Sequence, residues 1–165
     1  MPVRYLPLTG LLLLVLPGCP RQAAVPDEPF VRSAAAVLRS GVVEKLDILY
    51  YDRRVRTRVA VSPGHLERIY QHKLSVDRFG RSGWSDDFVR ALRAHDMEQV
   101  PGPRPDCRWG CIFYDARNTR VLTMYFDGPG GWGLIHGVLV EVRGGPSAKL
   151  ALVALLEKRY LLKWE

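Results

Sequence analysis

The stretch from Arg108 to Val142 limits what this chain can fold into more than any other. Ile112-Phe113-Tyr114 is short, aromatic and β-favouring. Asp115 to Thr119 supplies a polar turn in which Asn118 can take a positive φ. From Thr119 the residues alternate, with Leu122, Met124 and Phe126 on one strand face and Val121, Thr123 and Tyr125 on the other. Asp127 to Gly131 turns the chain again. A single strand then runs from Trp132 to Val142, with Val138, Val140 and Val142 on one face and Ile135 and Leu139 opposite. Successive alternating runs joined by short turns predict an antiparallel meander.

The flanking segments supply strands and cover. Phe30, Val31, Ala34, Val37 and Leu38 recur at helical spacing, with Asp27 as cap, Pro29 in the first turn and Gly41 at the end. Leu46, Ile48 and Tyr50 share a strand face, and Asp52-Arg53-Arg54 turns the chain. Val55, Thr57, Val59 and Val61 then alternate with Arg56, Arg58 and Ala60, which predicts a second hairpin with an outward basic face. Ser62-Pro63 opens a short helix with Leu66, Ile69 and Tyr70 inward. Val76 to Trp84 reads as a loop. Ser85-Asp86-Asp87 caps a helix that turns Phe88, Val89, Leu92 and Met97 inward. The proline-rich run from Pro101 to Pro105 fits neither helix nor central strand. A last helix runs from Pro146 to Leu162, uncharged from Leu150 to Leu156. The expected fold is α+β: a mainly antiparallel sheet of about five strands, two hairpins plus one extra strand, with helices chiefly on one face.

Residues 1–18 read as an address rather than as part of that fold. Arg4 gives a positive start, and the apolar run from Leu11 to Leu16 is too short to span a bilayer. The ending Leu16-Pro17-Gly18-Cys19 resembles the lipobox of bacterial lipoproteins. That resemblance implies cleavage before Cys19, lipidation of Cys19, and a chain held at the periplasmic face of a bacterial membrane. Residues 19–26 then form the lipidated cysteine and its tether, and 27–165 a single domain.

The chain carries a formal net charge of +7, concentrated locally at Arg53, Arg54, Arg56 and Arg58. No nucleic-acid motif accompanies these arginines. In an envelope they suit an acidic protein, anionic lipid head groups or the anionic cell wall, unless arginine is simply the solubilising residue here. Cys107 and Cys111 form an even pair once Cys19 is set aside. A regular strand would hold them roughly 13 Å apart, so a disulfide needs a turn at Arg108-Trp109-Gly110. Zinc would need further ligands, and redox motifs prefer two intervening residues, so the bridge is the favoured reading.

No catalytic motif is present: Gly-x-Ser-x-Gly, a phosphate loop and His-Glu-x-x-His are all missing, and nothing implies a cofactor or a metal. Two expectations follow. One is a non-catalytic binding module of inhibitor or immunity type, using the arginines and Trp132 in its Gly-rich loop as an anchor. The other is an envelope hydrolase built on His136 with Asp115 or Asp127, which requires those side chains to converge in one pocket.

Overall fold

The computed structural model of this chain describes residues 29–52, 54–81, 83–93, 97–128 and 131–142, with 155, 156 and 158. The leader with Cys19, the tether and Arg53 lie outside these residues, as does most of the expected C-terminal helix; Leu155, Leu156 and Lys158 are helical. The described helices are α1 (Pro29–Arg39), α2 (Pro63–Ile69) and α3 (Trp84–Arg93). The strands are β1 (Lys45–Tyr50), β2 (His72–Asp77), β3 (Met97–Gln99), β4 (Cys107–Tyr114), β5 (Arg120–Asp127), β6 (Trp132–Ile135) and β7 (Val138–Val142). They form one seven-stranded sheet in the order β2-β1-β4-β5-β6-β7-β3, antiparallel at every step.

The fold is therefore α+β with an antiparallel sheet, but the sheet is wider than the pattern of about five strands implied. Three local events account for the difference. First, the run from Trp132 to Val142 is a hairpin, not one strand. His136 and Gly137 both take positive φ, 49° and 83°, as a two-residue turn of the I′ kind requires. The turn places Ile135 opposite Val138 on the same face.

Second, Val55 to Val61 is not a strand. Both edges of β1 are occupied, one by β2 and one by β4, so no ladder is open to it. Val59 is consequently 66% exposed, and of the alternating valines only Val61 is buried. The strand beside β1 is instead β2, which includes part of the expected loop, and Phe79 just after it is fully buried. Third, Met97 belongs to β3 rather than to a helix, and it caps the far edge by pairing with β7.

The helix signals were sounder. α1 buries Val31, Ala34, Ala35 and Leu38, and Gly41 follows it at a φ of 73°. The Ser62 side chain accepts a hydrogen bond from the backbone N–H of His65, and Pro63 opens α2. Only Leu66 of that helix is buried, and Ile69 and Tyr70 are exposed.

Two apolar clusters form. The larger joins Val31, Leu38, Phe79, Phe88 and Leu92 to Ile48, Trp109, Cys111, Phe113, Met124 and Phe126 of the sheet. Phe79, Phe88 and Phe113 meet edge to face with ring centroids 5.4 to 5.8 Å apart, an arrangement favoured by the ring quadrupole. The smaller cluster contains Leu49, Val61, Leu66, Cys107, Ile112, Tyr125 and Leu134. Here Gly110, opposite Tyr125, lets the ring and Leu66 approach the backbone; a Cβ at Gly110 would sit 3.2 Å from both.

A bulge in β4 decides the fate of the cysteines. Cys107 pairs with Asp127 and Trp109 with Phe126, so Arg108 is the extra residue. The bulge turns Cys107 into the smaller cluster, while Cys111 lies in the larger one. The expected turn at 108–110 is continuous strand, and both thiols are free and buried. The disulfide expectation is thus corrected: the residues meant to bring the sulfurs together hold them on opposite sides of the sheet.

Candidate binding site

The irregular segment from Asp52 to Val61 has no ladder to hold it, so its backbone groups need other partners. Arg108 provides them. Its guanidinium, on a residue only 6% exposed, donates to the carbonyl of Val55 at 3.0 Å and, at longer range, to that of Asp52. It also forms a two-pronged pair with Asp106, at 2.9 and 2.6 Å, and lies over the Tyr51 ring at 5.3 Å. A planar guanidinium suits this task because its five donors point in fixed directions. The other Asp106 oxygen accepts from the N–H of Val61 at 2.7 Å, and Val61 in turn accepts from the N–H of Cys107. Both ends of the basic segment are thus fastened to the start of β4.

On either side of the Asp106–Arg108 pair the surface is concave. One hollow is lined by Val55 to Ala60 with Asp106 and Arg108. The other is a cleft of about 370 Å³ lined by Pro103, Arg104, Pro105, Asp106, Arg108, Asp127, Gly128 and Trp132. That volume falls within the range of small-ligand and side-chain pockets. Trp132 is half-buried at the start of β6, and its backbone N–H donates to the Asp127 carboxylate. Among the described residues no carboxylate pairs with Arg56, Arg58 or Arg104, whereas Arg54 is paired with Asp52.

Two expected contact features therefore meet. Arg56 and Arg58 stand on one side of the Asp106–Arg108 pair and Trp132 on the other. Arg54 is exposed but paired, and Arg53 lies outside the described residues. Sequence reasoning missed Asp106 and Arg108. Their signal was a charged side chain inside an aromatic strand, with its counter-ion two residues before it.

The expected hydrolase residues do not converge. Asp115 accepts from the N–H groups of Arg117 and Thr119 and so shapes the β4–β5 turn. Asp127 lines the Trp132 cleft. His136 is exposed in the β6–β7 turn and borders a separate apolar groove beside Phe30, Ala34 and Val37 of α1. Neither aspartate lines that groove. Among the described residues no three His, Cys, Asp or Glu side chains are grouped to hold a metal ion, and no helix is long and apolar enough to cross a membrane.

Two further polar groups occupy the same side of the sheet. Asp47, buried in β1, accepts from Ser75 at 2.7 Å and pairs with Lys73 at 2.9 Å. Burial alone would raise its pKa, but the bonds from Ser75 and Lys73 outweigh this and hold it below the usual carboxylate value. Glu67 of α2 takes two bonds from Arg120 and one from the Tyr125 hydroxyl at 2.5 Å. Burial opposes its ionised form, yet those donors lower its pKa, while burial and Glu67 together raise that of Tyr125. Burial also pushes the Cys107 thiol up to about 12, which leaves it protonated and unreactive at neutral pH.

No family model, no curated protein and no solved structure matches this chain.

Proposed function

We propose that this chain is a lipid-anchored protein of the bacterial envelope that binds an acidic protein partner and catalyses no reaction of its own. The carrying observation is that Asp106 and Arg108 underlie both the arginine segment and the Trp132 cleft. A partner covering that pair would meet Arg56, Arg58 and Arg104, which pair with no carboxylate among the described residues, together with Trp132. Exposed Val55 and Val59 add apolar surface between the arginines. Rim charges speed encounter, and a desolvated tryptophan slows dissociation.

The test begins with capture from envelope extract and identification of the partner. Arg56→Glu combined with Arg58→Glu should then slow association, more at low salt than at high salt. Trp132→Ala should speed dissociation at any salt. Equal binding by both variants and the parent would overturn the proposal. Loss of an envelope-hydrolysing activity in purified His136→Ala would transfer the case to the hydrolase reading. The anchor has its own test: Cys19→Ala should abolish metabolic labelling with a fatty acid.

A further inference from the structure

A sheet whose end strand is six residues long leaves a row of backbone donors and acceptors without a ladder. Among the described residues nothing pairs with the outer side of β2. Such an edge is usually blunted by a charge, and Lys73 stands there, its ammonium 2.9 Å from Asp47 of β1 but with part of the side chain and its remaining donors open to solvent. The neighbouring charges give Lys73 a second reading.

A second copy can add to β2 antiparallel about a two-fold axis perpendicular to the sheet. That axis keeps like faces together, so residues facing one another must share parity. Centred on Ser75, it places Ser75 against Ser75, Leu74 against Val76, and Lys73 against Asp77. Asp77 is exposed, has no ion pair among the described residues, and already lies opposite Lys45 of β1. The row across the junction then reads Lys45, Asp77, and Lys73 of the second copy, with alternating sign. Directly opposed charges of unlike sign stabilise a strand pair, and like charges oppose it. On the other face Leu74 and Val76, each only partly buried at the margin of the larger cluster, would cover one another.

We infer that β2 is the interface of a two-fold homodimer in which two sheets join edge to edge with Ser75 at the axis. This interface is separate from the arginine and Trp132 surface and does not depend on that surface's role. Six residues a side make a small contact, so the dimer is reversible and concentration-dependent.

The register makes the test specific. In the full chain, Ser75→Cys puts two thiols directly opposite each other, with Cβ atoms roughly 5 Å apart. Mild oxidation should give a dimer cross-linked through residue 75 that is absent from the unaltered chain, whose Cys107 and Cys111 are buried and whose Cys19 is common to both. Lys73→Cys should not cross-link, because its two copies lie roughly 13 Å apart, four positions along the strand. Adding Asp77→Lys to Ser75→Cys should abolish the dimer band, since lysine would then face Lys73. A folded Ser75→Cys that stays monomeric would overturn the inference. Equal cross-linking of Lys73→Cys, or no effect of Asp77→Lys, would do the same. Should Ser75→Cys fail to fold, hydrogen exchange of the unaltered chain decides the matter: the alternate amides of β2 that point away from β1 should exchange more slowly as concentration rises, and concentration-independent exchange of those amides would refute the dimer.

Discussion

The two sides of the sheet are built on different physics. The side carrying Trp109, Phe113 and Phe126 packs against α1, α3 and Phe79, and its buried residues are apolar. The side carrying Leu49, Ile112 and Tyr125 has a smaller apolar cluster, threaded by ionised pairs: Asp47–Lys73, Glu67–Arg120 and Asp106–Arg108. Apolar packing is non-directional and scales with area. Charge-assisted bonds are directional and fix the attitude of a segment that has no ladder. The first side therefore holds the fold together, and the second presents a shaped surface. Stability and recognition can then be perturbed separately, which is testable.

The largest expected effect is on the aromatic side. Phe88→Ala removes a fully buried ring that meets both Phe79 and Phe113, and should cost about 3–5 kcal/mol in denaturant unfolding. Next comes Arg108→Ala, which leaves one Asp106 oxygen and two loop carbonyls without their Arg108 donors. It should cost about 1–3 kcal/mol, because Asp106 is partly solvated. Its signature is local: amides of 54–61 should exchange faster while those of α1 and α3 keep their protection. Uniform loss of protection would break the division between the two sides.

A smaller effect should appear with pH. Asp47 and Glu67 both titrate below their ordinary values in the folded chain. Their contribution is therefore fully present above the ordinary carboxylate range, about pH 4, and is lost as pH falls through the lowered folded values. Asp47→Asn should flatten that acid limb of stability while leaving thermal unfolding at neutral pH within about 1–3 kcal/mol of the parent. The smallest effect is expected of Trp132→Ala. Half-buried at the cleft, it should lower stability by no more than about 1–2 kcal/mol, as the melting temperature will report. Unfolding of that variant would make Trp132 a core residue.

The hairpin of β4 and β5 and the helices α1, α2 and α3 were legible because their signals are local. Asn118 takes the positive φ its turn needs, and Leu122, Met124 and Phe126 share the larger cluster. What could not be read depended on partners distant in sequence. Val55 to Val61 has the alternation of a strand, yet its fate is decided by the occupancy of both edges of β1. Three-residue β3 is too short to show a period and exists because β7 receives it. Trp132 and the arginines were chosen for separate reasons, and only the fold sets them around one ion pair. The bridge between the cysteines fails because 108–110 is strand rather than turn, and the β4 bulge then puts Cys107 on the face opposite Cys111.

The position of β3 bears on the order in which the chain can assemble. β4 to β7 follow one another in sequence and pair with their immediate successors, so they can zip with little loop-closure entropy. β3 precedes them all but occupies the edge beyond the last of them. Synthesis runs from the N-terminus, so Met97 must wait for residue 142 before its strand partner exists. Until then a residue that ends up 2% exposed has no native neighbour strand to cover it. A chain cut between β5 and β7 should therefore keep the hairpin of β4 and β5 within reach and yet expose Met97. β7, the last of the described strands to be made, closes the far edge of the sheet, whereas the pairing of β1 with β4 already joins the first half of the molecule to the second.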